Sequence, residues 1–257
     1  MFMKYIKDFI ILSREQLDER NVLLRLRPTD GQMPECKPGQ FVQVQAPAAK
    51  DTLLRLPISI NNVVDGQLWL MVQAIGEGTK AICGLSEGDS LNLVLPLGKG
   101  FSISEATGRV LLVGGGVGIA PLLYAGRALK EKGLTPTFLL GARTASGILE
   151  RELFEQVGKV LITTEDGSLG ERGFVTQHSA LQSERFDKIM VCGPKPMMMA
   201  VARYARQTNT DCEVSLENMM ACGLGACLCC VEKTVKGNIC VCTEGPVFNI
   251  NQLTWQI

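Results

Sequence analysis

Six of the ten cysteines in this 257-residue chain fall between positions 222 and 242. In a secreted chain such density would mean disulfides. The N-terminus, MFMKYIKDFIIL, has a short apolar run but no small-residue cleavage site, so it does not read as a signal peptide, and metal ligation is the expectation instead. The run Cys222-Gly-Leu-Gly-Ala-Cys227-Leu-Cys229-Cys230 contains C-x4-C-x2-C, and Cys240 and Cys242 follow after a hairpin-like stretch. This is the spacing of plant-type 2Fe–2S sites. Four thiolates must wrap a small charged core from one tight loop plus one distant residue. Gly223, Gly225 and Ala226 carry little bulk, so backbone N–H groups can approach the sulfurs and help set the potential. Zinc is the alternative, because Cys227 and Cys230 also form a C-x2-C pair. A zinc ribbon would want a second C-x2-C, whereas the downstream pair is Cys240-x-Cys242. Cys229 and Cys240 then read as surplus thiols, buried or beside the site. Cys36, Cys83 and Cys212 read as small hydrophobes.

The rest of the chain divides by periodicity. Residues 1–102 carry short β-prone runs, among them Val22–Leu26, Phe41–Val44, Leu68–Val72 and Leu91–Leu95, split by turn signals such as Pro38-Gly39 and Asp65-Gly66. Close spacing without a helical period predicts a small antiparallel barrel. Residues 103–210 alternate strand and helix: strands at Val110–Val113, Thr137–Leu140, Val160–Thr163 and Lys188–Cys192, helices at Leu122–Lys130 and Pro196–Arg206. That pattern predicts a Rossmann-like, doubly wound parallel sheet. Residues 211–257 form a small cysteine-rich segment. The expected class is mixed β and α/β.

Lys plus Arg equals Asp plus Glu at 26 each, so no basic surface for nucleic acid is expected. No apolar run reaches the roughly 18–20 residues a membrane span needs. A cytoplasmic protein is expected.

Gly114, Gly115, Gly116 and Gly118 follow the Val110–Val113 strand and open a helix. Glycines there let the backbone approach a diphosphate, and the helix N-terminus favours negative charge. The strict G-x-G-x-x-G is missing. Two later segments strengthen the reading. Cys192-Gly193-Pro194 stands at a strand's C-terminal end, where open α/β sheets bind ligands. Asp166 to Gly173 is a glycine-rich loop after another strand end.

Taken together, the chain resembles the ferredoxin–NADP reductase superfamily over essentially its whole length, and within it the electron-transfer subunits of NAD-dependent dihydroorotate dehydrogenase B. The most specific part is Ser215-Leu-Glu-Asn-Met-Met-Ala-Cys222 through Cys230, followed by Cys242-Thr-Glu-Gly-Pro-Val-Phe248. By this resemblance the cluster ligands are Cys222, Cys227, Cys230 and Cys242, the closing Gly245-Pro246-Val247-Phe248 selecting Cys242 over Cys240. Arg55, Leu56, Pro57, Ile58 and Ser59 match the family's flavin motif, which places FAD on the barrel with the serine near the ring. The family's arginine position is Leu56 here, and Arg55 should point the other way on a strand, so weaker FAD retention is expected. Met71, Val72 and Gln73 resemble the strand along the flavin, and Gly78 and Thr79 the loop at the FAD diphosphate. Pro96 to Phe101 resembles the barrel-closing loop.

The resemblance implies electron flow from an FMN-containing dihydroorotate dehydrogenase catalytic subunit through 2Fe–2S and FAD to NAD in pyrimidine biosynthesis, within a heterotetramer. It also implies that the cluster lies near that interface, where Glu217 and the Met219-Met220 pair flank it, although core packing is the favoured reading of the methionine pair. Hydride transfer needs alignment more than a protein acid or base, so no catalytic residue is expected. The single histidine, His178, reads as a surface or capping residue. Rival readings are the flavin and iron–sulfur subunit of another NAD(P)H–ferredoxin-type oxidoreductase and a zinc-stabilised binding protein without enzymatic activity.

Overall fold

Period-two burial closes the N-terminal part into a six-stranded antiparallel barrel. The computed structural model describes residues 3–47 and 53–256. The barrel strands are β1 (Tyr5–Gln16), β2 (Asn21–Pro28), β3 (Phe41–Val44), β4 (Leu56–Val64), β5 (Gln67–Gln73) and β6 (Ser90–Leu97), in the order β1-β2-β5-β4-β3-β6. Val22, Leu24 and Leu26 of β2, Leu68, Leu70 and Val72 of β5, and Leu91, Leu93 and Leu95 of β6 all point into one core. The helix α1 (Glu77–Cys83) adds Ile82 and Cys83 to it. β1 is much longer than its apolar run suggested. Phe9 and Ile11 face the core while Ile6, Asp8 and Ile10 face outward, and the strand pairs with β2 on one side and β6 on the other.

The second part contains β7 (Val110–Gly115), α2 (Ala120–Glu131), β8 (Thr137–Ala142), α3 (Arg151–Glu155), β9 (Lys159–Thr164), β10 (Glu171–Arg172), α4 (Ala180–Ser183), β11 (Lys188–Cys192), α5 (Lys195–Gln207) and β12 (Asp211–Ser215). The cysteine-rich segment supplies β13 (Val231–Thr234), β14 (Gly237–Cys240), α6 (Val241–Glu244) and β15 (Val247–Asn249). The large sheet runs β10-β9-β8-β7-β11-β12-β15. Its strands are parallel except β15, which runs antiparallel to β12. β7 and β11 are buried along their whole length because a core lies on each face. Gly126 of α2 allows the closest approach, since a Cβ there would lie 2.2 Å from the Phe138 ring. Phe138 in turn meets Phe154 edge-on at 4.9 Å, a contact worth roughly 1 kcal/mol beyond its buried area.

The cysteine-rich segment is less separate than a boundary at residue 210 implied. β12 completes the parallel sheet and β15 extends it, so residues 211–215 and 247–249 share the nucleotide domain's core. Only β13 and β14 form a sheet of their own. Leu23 and Met71 turn outward from the barrel and join Ile119 and Leu122 in the second core, which fastens the barrel to α2.

Candidate redox site

The four expected cluster ligands come together, and backbone amides bring them there. Leu224 N–H donates to Cys222 Sγ at 3.3 Å and Gly225 N–H to Cys242 Sγ at 3.2 Å. Cys222 N–H points at Cys227 Sγ (3.5 Å) and Cys242 N–H at Cys230 Sγ (3.4 Å). The thiols thus associate as Cys222 with Cys227 and Cys230 with Cys242. Burial disfavours the Cys222 thiolate, but the amides of Leu224, Cys227 and Ala226 outweigh it and pull the thiol down to about 6. The loop needs its glycines. Gly225 has φ +84°, and a Cβ there would sit 2.9 Å from Thr243 Cγ2. Gly223 has φ +68°, with Gln43 Cγ at 2.8 Å from the same point.

The two pairs differ in exposure. Cys230 and Cys242 are buried against the core, Cys222 is half-buried and Cys227 is exposed. Cys240 lies beside the site, its thiol 3.9 Å from the Gly225 carbonyl. Of the two readings for Cys229, buried or neighbouring thiol, burial is excluded: it is exposed, next to Cys230 and after Leu228 with φ +59°. Among the described residues no three cysteine, histidine or acidic side chains close on one point as a single ion would require. The donor set, four thiols with amides aimed at the sulfurs, fits a 2Fe–2S cluster.

The loop is seated on the barrel. Besides touching Gln43, Gly223 approaches Leu97 of β6. The barrel-closing loop meets the Gly245-Pro246 marker directly: Lys99 bridges to Pro246, and its ammonium reaches Glu244 at 2.7 Å. Two segments far apart in sequence are therefore one contact.

The flavin motif lies on β4, with Ser59 opposite Phe41, Ile58 opposite Val42, Pro57 opposite Gln43 and Leu56 opposite Val44. Leu56 to Ser59 are half-buried. Arg55 does point elsewhere. Its guanidinium donates to the Asn92 carbonyl (2.9 Å) and to the Asn92 side chain, on β6. Met71 and Val72 are core side chains on opposite faces of β5, so only their backbone can run beside a ligand, whereas Gln73 faces the cleft described next. Thr79 uses its hydroxyl to cap α1, accepting from the amides of Ile75 (2.9 Å) and Gly76 (3.0 Å). Gly78 is buried. Gln43 is fully buried with neither polar end of its amide bonded, which marks the strand between flavin motif and cysteine loop as a place built for a polar neighbour.

A cleft of about 680 Å³ opens at the C-terminal ends of β7, β8 and β9 and reaches Asn21 and Gln73 on the barrel. Gly115, Gly116 and Pro194 line it. Gly114 and Gly118 do not. A Cβ on Gly118 would lie 2.5 Å from Gly193 Cα, and one on Gly114 would lie 2.7 Å from Ile119 Cγ2, so these two serve packing behind the turn. Cys192 is buried at the end of β11, its thiol 3.9 Å from Glu217 Oε1, and burial raises both groups. Glu217 is nonetheless exposed, with its carboxylate reaching back to this strand end. Arg143, Glu165 and Phe174 also line the cleft, and Phe174 is exposed. Asn21 Oδ1 and Thr163 Oγ1 are buried there without partners, which fits a polar ligand such as a dinucleotide. Residue type alone did not single out Asn21, Thr163 and Phe174, because only the fold brings them to one opening.

Two further expectations change. His178 caps, but from a buried position: Nδ1 accepts from Ala180 N–H at 3.1 Å, and burial lowers its pKa. The methionine pair splits, Met219 exposed and Met220 packed on the core.

Residues 217–254 match the iron–sulfur cluster binding domain of dihydroorotate dehydrogenase B, and residues 112–203 match an oxidoreductase NAD-binding domain. The electron-transfer subunit of dihydroorotate dehydrogenase B (NAD(+)) from Shouchella clausii is 40% identical over 225 residues, covering 84% of this chain and 86% of that protein. The chain belongs to that family. The subunit from Caldanaerobacter subterraneus subsp. tengcongensis is also 40% identical, with 82% of this chain and 84% of that one covered. Among solved structures, that of an NADH-dependent reduced ferredoxin–NADP oxidoreductase superposes with a TM-score of 0.85 at 32% identity, covering 96% of this chain and 90% of its own. A flavohemoglobin from Malassezia yamatoensis (TM-score 0.67, 20% identity, 80% and 57% covered) shows the shared fold alone. The chain is thus an oxidoreductase electron-transfer subunit, and FAD, 2Fe–2S and NAD are its cofactor set. The cysteine loop lies within the iron–sulfur match, which settles the choice against zinc.

Proposed function

We propose that this subunit carries electrons from an FMN-containing dihydroorotate dehydrogenase catalytic subunit to NAD⁺ in pyrimidine biosynthesis, in the cytoplasm, as part of a heterotetramer. The observation that carries the reading is the seating of the cysteine loop on β3, the strand paired with the flavin motif. A cluster held by Cys222, Cys227, Cys230 and Cys242 and an FAD held along β4 are then neighbours, with the nucleotide cleft opening beyond Gln73. FAD, when bound, supplies the exchange between two-electron and one-electron chemistry. The protein's own part is to hold the nicotinamide end of the dinucleotide against β4 and to exclude water from the strand ends. Arg143 and Phe174 suit the cleft's adenosine and phosphate end, Gly115, Gly116 and Pro194 its diphosphate, and Ser59 the flavin edge.

The partner would meet the outer side of the loop. Met219, Leu224 and Leu228 are exposed there around Cys227, an apolar rim beside the outward thiols. Among the described residues no helix is long and apolar enough to cross a membrane. A second reading, the flavin and iron–sulfur subunit of another NAD(P)H–ferredoxin-type oxidoreductase, is favoured by the 96% coverage of the ferredoxin–NADP oxidoreductase structure.

Anaerobic purification from the native host separates the two readings. The expected result is an FMN protein that copurifies, in a complex that reduces NAD⁺ with dihydroorotate. A chain that arrives with another redox partner, and is inert to dihydroorotate, supports the second reading and removes the first.

A further inference from the structure

Asn61 lies on β4, two residues beyond Ser59, and is fully buried where the barrel meets the nucleotide domain. Its amide nitrogen donates to Glu150 Oε2 at 2.8 Å and to the Ala120 carbonyl at 3.3 Å. Ala120 is the first residue of α2, directly after the 116–119 turn. Glu150 precedes α3 with φ +51°, a left-handed conformation that a non-glycine side chain adopts only when its surroundings impose it.

Asn61 Oδ1 and Glu150 Oε1 are both buried and without a hydrogen-bond partner. These two left-over oxygens belong to the same two groups that already share one bond. With Glu150 ionised, both oxygens are acceptors and neither can be satisfied by the other. A proton on Oε1 would supply the donor that the pair lacks, and an O–H donating to Asn61 Oδ1 would close the two groups into a cyclic acid–amide pair with no polar atom left over. Arg25 favours an ionised Glu150, but burial outweighs it. Arg25 on β2 is already bonded to Glu15 of β1 at 2.8 Å and stacked on Trp69 of β5 at 4.6 Å, while Glu15 itself repels a second carboxylate.

We propose that Glu150 keeps its proton in the folded protein through the mildly acidic range and gives it up around neutrality, and that the Glu150–Asn61 pair is a positioning clamp setting the flavin strand against the nucleotide turn. The clamp rests on the reading of β4 as the flavin strand; the protonation does not. Asn61 ties Ser59's strand to Glu150 and to the start of α2 through one side chain. Loss of the proton leaves two buried oxygens opposed, and the strand and the turn can then move apart. Hydride transfer is sensitive to such displacements.

Burial raises Glu150 from 4.5 to about 7, against the donation from Asn61. An acid whose folded pKa is raised contributes its full stability below the ordinary value of 4.5 and loses it as pH rises through about 7. Glu150→Gln donates to Asn61 Oδ1 at every pH, so it mimics the protonated state permanently.

The test compares wild type and Glu150→Gln in the intact chain across this window. The infrared difference spectrum should show a protonated carboxyl C=O band in the wild type at mildly acidic pH, absent from E150Q and fading as pH rises through neutrality. Melting temperatures should match at acidic pH and diverge above it, with E150Q the more stable. The anaerobic flavin-reduction step with NADH should slow in the wild type through the same window, at unchanged KM, and stay flat in E150Q. No carboxyl band lost in E150Q, or parallel melting profiles, overturns the protonation. A band with a pH-independent wild-type reduction step overturns the clamp. The infrared and melting readouts need no flavin, so a failure of the flavin reading shows separately, as a chain that binds no FAD.

Discussion

The cysteine loop and the nucleotide cleft are both cofactor sites, built on opposite plans. The loop gathers four cysteine thiols from residues 222–242, and its amides point at its own sulfurs. The cleft is lined from Asp18 to Ala200, across several strand ends and both large domains. In the loop the chemistry belongs to side-chain atoms, so changing one atom type removes a ligand. In the cleft much of it belongs to backbone and empty space, so the damaging change is an added atom rather than a lost one.

The largest expected effect is at the loop. Cys242→Ser should abolish the visible absorbance and paramagnetic signal of the 2Fe–2S cluster, while Cys240→Ser and Cys229→Ser keep both. A cluster that survives C242S and disappears in C240S reverses the ligand assignment and breaks the comparison at its clearest point.

At the cleft, Gly118→Ala should destabilise the fold by about 2–3 kcal/mol through overpacking, because its Cβ would meet backbone atoms of Gly193 at 2.5 Å. Gly116→Ala, which meets open space but has φ +56°, should cost only about 1 kcal/mol. Thermal melts separate the two. Equal losses would mean that dihedral strain, and not close packing, dominates the turn.

The flavin strand lies between the two plans. Leu56→Arg should tighten FAD binding about tenfold, the worth of one charge-assisted hydrogen bond, whereas Arg55→Ala should leave it unchanged, since Arg55 is committed to Asn92. Fluorescence titration of the apoprotein reads both. An unchanged affinity for L56R removes the idea that the missing arginine weakens retention.

The smallest effect is on the cleft rim. Arg143→Ala should raise KM for NADH roughly two- to fivefold with kcat unchanged, as expected for one exposed charge contact. A fall in kcat instead would place Arg143 nearer the reacting end than the adenosine end, and steady-state kinetics decides between them.

Much of this was legible in the residues. The period-two runs marked four barrel strands, the alternation of strand and helix marked the doubly wound sheet, and C-x4-C-x2-C marked the cluster loop. β1 was missed because its core face carries Lys7 and Arg14 and its outer face carries Ile6 and Ile10, which blurs the period, and α1 because a seven-residue helix carries too few turns to show one. The cysteine-rich segment looked independent because its composition changes abruptly. β12 and β15 belong to the large sheet all the same, since pairing depends on which edge is free and not on composition.

The sequence by itself determined the ligand types, the glycine positions and the order of the domains, because thiolate chemistry, left-handed φ values and hydrophobic periodicity are properties of nearby residues. Only the tertiary structure decided that Gly114 and Gly118 are packing residues, that Arg55 turns away to Asn92, that His178 is buried, and that Glu150 meets Asn61 across a domain junction. Each of these depends on what stands opposite a residue in space, and contacts between positions 89 apart in sequence leave no local pattern.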